Sequence, residues 1–304
     1  MLKVKDLSIR FTRYTASYTR EQLEAVSSID IDVAKGEIVA VIGSSGSGKS
    51  LLAHAILGIL PKNALTGGSI AYNGEELTQK RLAKLRGREI ALIPQSVTYL
   101  DPTMRVGKQV AGTSRTRGET EEVFRSFGLA KEVTDFYPHQ ISGGMARRVL
   151  VAAALISGAS LILADEPTPG LSDKLIREAC GHLRALADAG RGVLLITHDI
   201  MAALTVADKI SIFYAGSNVE TAPREDFTGA GEALRHPYTK ALWNALPQNG
   251  FFPLAGFQPA SGPSDSSPKG CPFLKRCQNA GSECAAPVPS RPVRGGAVRC
   301  VYAA

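Results

Sequence analysis

The stretch GEIVAVIGSSGSGKSLLAHAILGIL, residues 36–60, decides the fold. Its first part, ending at Gly43, is a continuous apolar run of the kind that forms a buried parallel strand, and KSLLAHAILGIL after it has helical period. Between them lies GSSGSGKS, residues 43–50, which matches the pattern G-x-x-x-x-G-K-[ST]. A strand feeding a helix through a glycine-rich turn opens a βαβ unit. The glycines allow a tight nest of backbone N–H groups, and the helix N-terminus adds positive potential, so the turn is built to receive phosphate. Gly43, Ser44, Ser45, Gly46, Ser47, Gly48, Lys49, Ser50 and Leu51 are the candidate binding residues. Lys49 is expected to reach the β and γ phosphates, and the Ser50 hydroxyl to ligate Mg²⁺.

A second apolar strand, LILADEP at 161–167, ends in two carboxylates. Open α/β sheets bind ligands at the C-terminal ends of their strands. Asp165 is the expected Mg²⁺ partner, and Glu166 the candidate base for an attacking water. Alone, an Asp-Glu pair after a strand is more often a solvated strand end; coupled to the phosphate loop it reads as catalytic.

Around these motifs, residues 1 to about 35 alternate apolar and polar positions, as strands of a half-exposed antiparallel sheet do. Residues 66–94 give further strand signals, in GGSIAYNG and REIALIP, and about 96–157 is mostly helical. GVLLITHD at 192–199 is another buried strand, after the helical SDKLIREACGHLRALADAG, in which Cys180 reads as packed. The pattern is α/β with a helical insertion. After about 225 the texture changes, and 251–304 is rich in Pro, Gly and Ser. The N-terminus carries Lys3, Lys5, Asp6 and Arg10 and does not read as a secretory signal. The run from Val149 to Ala164 is interrupted and too short to span a bilayer. A cytoplasmic chain is therefore expected, and any role at a membrane requires partner subunits. The formal net charge of +7 is compatible with nucleotide, nucleic acid or an anionic membrane face and decides nothing alone.

These pieces, with ISGGMARR from Ile141, Gln95 in LIPQSV, GLSD at 170–173 and His198 in ITHD, resemble the ATP-binding-cassette ATPases, whose marks run in the same order. The resemblance implies a P-loop NTPase core over 1–225 with an N-terminal antiparallel β subdomain and a helical signature subdomain, followed by a C-terminal extension over 226–304. It implies an ATPase in which two cassettes pair head to tail. Each ATP then lies between the phosphate loop of one and Ser142, Gly143 and Gly144 of the other. Gln95 would sense Mg²⁺ and the attacking water, His198 would hold the γ-phosphate, and Tyr18 is chosen over Phe11 and Tyr14 as the adenine-stacking aromatic. Two positions depart from the pattern: Met145 replaces the usual glutamine, and Ser172 the usual D-loop aspartate.

HPYTKALWNALP at 236–247 and the tail GCPFLKRCQNAGSEC at 270–284 with Cys300 resemble the dipeptide, oligopeptide and nickel importer group. That resemblance implies two separate permease subunits, an extracytoplasmic binding protein, a second and different ATPase chain, and a place at the cytoplasmic face of the membrane. No nucleic acid is expected. Peptide and nickel or metal-chelate substrates stay equally open. The spacing C-x5-C-x6-C-x15-C of Cys271, Cys277, Cys284 and Cys300 fits no zinc-finger or ferredoxin pattern. Four thiolates in a loop-rich segment read as metal ligands suited to zinc or iron–sulfur, with unligated thiols the alternative. Related tails favour a [4Fe-4S] cluster. The rival functions are a catalytically weak regulatory partner subunit, which Met145 and Ser172 keep open, and a soluble cassette ATPase acting on nucleic acid or ribosomes.

Overall fold

A computed structural model describes residues 1–14, 19–112, 115–254, 256 and 270–303. In chain order the first strands are β1 (Leu2–Tyr14), β2 (Arg20–Val33) and β3 (Ile38–Gly43), then helix α1 (Lys49–Leu57), β4 (Ala64–Tyr72) and β5 (Glu75–Glu76). Next come α2 (Gln79–Leu85), β6 (Ile90–Ile93), α3 (Val106–Ala111), α4 (Arg117–Ser126), α5 (Gly143–Ile156) and β7 (Leu161–Asp165). They are followed by α6 (Asp173–Asp188), β8 (Gly192–Thr197), α7 (Ile200–Leu204), β9 (Lys209–Tyr214) and β10 (Ser217–Pro223). Helix α8 (Pro237–Asn244) and the short strands β11 (Arg291–Val293) and β12 (Gly296–Val298) complete the chain. No helix among the described residues is long and apolar enough to cross a membrane.

These elements form two compact units. The first comprises Met1–Val33, Val39–Leu77 and Ala207–Ala304. It contains an antiparallel sheet in the order β2-β1-β4-β5. Leu2, Val4, Leu7 and Ile9 of β1 and Val26, Ile29, Ile31 and Val33 of β2 are buried, the face that the alternation predicts. The same unit pairs β3 with β9 in parallel, Val39 opposite Lys209, and continues antiparallel through β10, β12 and β11. All six residues of β3 are buried, as its unbroken apolar run requires.

The C-terminal segment is fastened to this unit by a buried charge cluster. Glu220 of β10 accepts from the Arg235 and His236 backbone N–H groups at 2.9 and 2.8 Å and from the Arg235 guanidinium at 3.2 Å. The same guanidinium bonds Asp226 at 2.7 Å. Removing one partner of such a buried pair typically costs about 3–5 kcal/mol, because the other charge is left uncompensated. Arg276 adds a bond to the Tyr214 hydroxyl at 3.1 Å, and Phe273 packs edge-on against the Tyr214 ring.

The second unit, Ala34–Ile38 with Thr78–Val206, holds the parallel strands β6, β7 and β8 in the order β8-β7-β6 and the helices α2 to α7. Every residue of β7 and β8 is buried. Helix α4 starts at a reciprocal cap: the Thr116 hydroxyl accepts from the Glu119 N–H, and the Glu119 carboxylate from the Thr116 N–H. One element differs from the sequence expectation, since α2 interrupts the segment 66–94 read there as strands. Its Thr78 cap accepts from the Arg81 N–H at 3.3 Å, but only Leu82 and Leu85 are buried, too few apolar positions to show a helical period.

Candidate nucleotide-binding site

In the first unit, β3 delivers the chain into the phosphate loop and α1 carries it away. A Cβ on Gly43 would lie 2.7 Å from both the Phe213 carbonyl oxygen and Ser47 Oγ, so only glycine fits. Gly48 has φ 94°, in the left-handed region that favours glycine, and it is the residue from which α1 starts. Ser44, Ser45 and Gly46 are exposed at the tip of the loop. The first turn of α1 carries no acidic residue to offset the positive potential of its N-terminus. Lys49 is only 7% exposed, and its ammonium donates to the carbonyls of Gly43 at 2.8 Å and Ser44 at 3.0 Å. The lysine thus bonds back to the loop that precedes it.

In the second unit, Asp165 closes β7 and Glu166 follows it, both carboxylates buried. Glu166 has φ 48°, a conformation that costs a non-glycine residue energy and is found at functional sites. Its N–H donates to the Ile196 carbonyl of β8 at 2.9 Å. Its Oε2 lies 2.9 Å from Nδ1 of His198, which follows β8 and is mostly exposed. Asp199 holds the turn after His198 by accepting from the Met201 and Ala202 N–H groups at 3.0 Å. A buried carboxylate on an exposed imidazole is an arrangement that can take a proton from water and pass charge toward solvent.

Arg147, which sequence reasoning left without a role, ties this end of the unit together. Its guanidinium donates to the Glu166 carbonyl at 3.0 Å and to the Pro94 carbonyl at 3.4 Å, the residue before the exposed Gln95. Burial pulls its pKa down, and the Glu166 carboxylate opposes that pull. Its only sequence signal is the basic pair that ends ISGGMARR. At the N-terminus of the same helix, five residues before Arg147, Ser142 caps α5 by accepting from the Met145 N–H at 3.3 Å. Open space surrounds the positions a Cβ would take on Gly143 and Gly144. Ser172 and Asp173 begin α6 in exposed positions, and Cys180 is packed inside that helix. Tyr18 lies outside the described residues.

The four clustered cysteines belong to the first unit. Cys271, Cys277, Cys284 and Cys300 line one small cavity with His236. The Cys271 N–H donates to the Cys284 carbonyl at 2.8 Å. Burial pushes the Cys271 thiol up to about 11, and the neighbouring thiols push the same way. His236 was not anticipated as part of this group. Burial pulls it down to about 3, so the ring is neutral. Its Nδ1 accepts from the Tyr238 N–H at 3.0 Å as the cap of α8, which leaves the proton on Nε2, 3.8 Å from Cys271 Sγ. Soft sulfur donors suit zinc or an iron–sulfur cluster. Among the described residues, however, no group of three or more His, Cys, Asp or Glu side chains is arranged to hold a metal ion.

Comparison with known proteins agrees with both regions. The family model described as ABC transporter matches residues 26–169. The model described as Oligopeptide/dipeptide transporter, C-terminal region, matches 219–284. The dipeptide transport ATP-binding protein DppD of Bacillus subtilis is 33% identical over 97% of this chain and 91% of its own. The oligopeptide transport ATP-binding protein OppD of Escherichia coli is 32% identical over 99% and 93%. Among solved structures, a dimeric ATP-binding cassette in a post-hydrolysis state with ADP and phosphate superposes with a TM-score of 0.65. It is 24% identical and covers 74% of this chain and 99% of its own, which establishes the fold. The chain therefore belongs to the ABC transporter family, as an ATP-hydrolysing subunit with the C-terminal region of the oligopeptide and dipeptide transporters.

Proposed function

We propose that this chain powers the uptake of peptides, working at the cytoplasmic face of the membrane against two separate permease subunits. An extracytoplasmic binding protein supplies the peptide, and a second, different ATPase chain completes the dimer. The observation that carries this reading is the Glu166–His198 pair, 2.9 Å apart, in a chain whose residues 219–284 match the peptide-transporter C-terminal region. A merely regulatory cassette has no need of that pair.

Each residue's proposed part is one that its setting supports. The nest from Gly43 to Gly48 takes the phosphates, and Lys49 turns its ammonium from two loop carbonyls to phosphate oxygens. Ser50, Asp165 and Gln95 are hard oxygen donors of the kind Mg²⁺ prefers, and the ion, when bound, neutralises charge on the phosphates. Glu166 accepts the proton of the attacking water. His198, held by Glu166 at its Nδ1, turns its other ring nitrogen toward a phosphate oxygen. Ser142, Gly143 and Gly144 meet the ATP held by the partner cassette, whose binding closes the dimer and whose hydrolysis releases it.

Turnover of the assembled transporter in vesicles tests the substrate. Peptides added with the binding protein are expected to stimulate ATP hydrolysis, and nickel or its chelates to leave it at the basal rate. Stimulation by nickel alone overturns the peptide reading.

The cysteine cavity is assigned a [4Fe-4S] cluster, with zinc as the second possibility. Four sulfurs and His236 around one cavity support this, since soft sulfur donors suit such a group. Anaerobically purified protein is expected to contain iron and sulfide, and Cys271→Ser to lose both while still binding ATP. Wild-type protein with neither iron nor zinc sinks the assignment and leaves the ATPase reading intact.

A further inference from the structure

The phosphate loop leans on strand β2. A Cβ at Gly48 would come within 2.8 Å of Val26 Cγ2 and 3.2 Å of the Ala25 carbonyl oxygen, so Ala25 and Val26 form the wall behind the turn into α1. β2 is the outermost strand of its sheet, and the position of an edge strand depends on what holds its free side.

That side is held by polar bonds from β10 and its neighbours. The Ser27 N–H donates to the Gly216 carbonyl at 2.8 Å, and the Ser217 hydroxyl donates to the Ser27 carbonyl at 2.8 Å. The Asn218 amide brackets Asp30, accepting from its N–H at 3.0 Å and donating to its carbonyl at 2.9 Å. The last fastening comes from the far end of the chain: the Arg299 guanidinium pairs with the Asp30 carboxylate, 269 residues away in sequence. Arg299 is itself set, since it is buried and its N–H donates to the Val219 carbonyl at 2.9 Å. The second Asp30 oxygen accepts from the Asp6 N–H at 3.1 Å.

The apolar face of this sheet is closed without Arg299, by Leu2, Val4, Leu7, Ile9, Val26, Ile29, Ile31 and Val33. A partly buried ion pair adds little net stability over an apolar pair of the same shape, so what it contributes here is position. We propose that Arg299 is a positioning residue for nucleotide binding: through Asp30 it fixes strand β2, and with it the wall on which the phosphate loop is set. This goes beyond the transport reading and does not depend on what the cysteine cavity holds.

The test is a fluorescence titration of the full chain with the analogue mant-ATP and Mg²⁺, alongside thermal melting and metal content of each variant. Arg299→Gln and Asp30→Asn are each expected to weaken mant-ATP binding about tenfold, and the double variant no further, because both break one linkage. Arg299→Lys is expected to recover part of the affinity. If the variants melt earlier but bind mant-ATP as tightly as wild type, the pair is structural only and the proposal fails. Additive losses in the double variant also overturn it. Should Arg299→Gln not fold, Arg299→Lys and Asp30→Asn carry the same comparison. A chain found without iron or zinc changes none of these readings.

Discussion

Glu166→Gln is expected to cut ATP turnover in the assembled transporter by about a thousandfold while leaving ATP binding near wild type. The substitution keeps the shape of the side chain, and its amide can still meet Nδ1 of His198, 2.9 Å from Oε2. What it removes is the basic oxygen, and general-base catalysis is worth roughly 10²–10⁴ in rate. The strained backbone at Glu166, with φ 48°, is held by its bonds to Ile196 and Arg147 and does not depend on the carboxylate. The site should therefore persist with the chemistry removed. Single-turnover hydrolysis and mant-ATP affinity on the same preparation check it. Turnover within a few-fold of wild type would mean that this chain contributes a regulatory site and that the partner's carries the hydrolysis.

Lys49→Ala fails differently, at binding. The lysine is the loop's own cation, and it spans the Gly43 and Ser44 carbonyls. Two charge-assisted bonds to phosphate are lost together with the two to the loop's own carbonyls. At about 1.5–3 kcal/mol for each bond to a charged group, ATP affinity is expected to fall about a hundredfold or more. Titration with mant-ATP measures it, and the melting temperature of the nucleotide-free chain should move by only a few degrees. A variant that binds within about threefold of wild type, a difference under 1 kcal/mol, would show that the backbone nest alone holds the phosphates.

The motifs visible in the sequence are those whose chemistry is local. The phosphate loop needs closely spaced glycines, and Asp165 and Glu166 end a strand that shows itself as an apolar run, so neighbours along the chain reveal them. Arg147 and His236 escaped because their work is done at a distance. One reaches the carbonyl of Glu166, 19 residues on, and the other the sulfur of Cys271, 35 residues on. The hairpin β11–β12 escaped for another reason. Its strands are three residues each, too short for alternation to register, and the turn between them rests on Arg294 and Gly295 at φ 45° and 78°. The tail around it is therefore less irregular than its Pro- and Gly-rich composition suggests.

Serine, threonine, aspartate and asparagine cap helices almost equally well, so the cap of α5 alone does not explain its residue. At Ser142 the oxygen takes the Met145 N–H and the hydroxyl proton remains free to point outward. Aspartate would cap as firmly but present only negative charge to an arriving phosphate. In the proposed dimer the hydroxyl would close its own helix and offer a donor to the partner's phosphate with the same atom, so engaging that anion would cost the helix nothing.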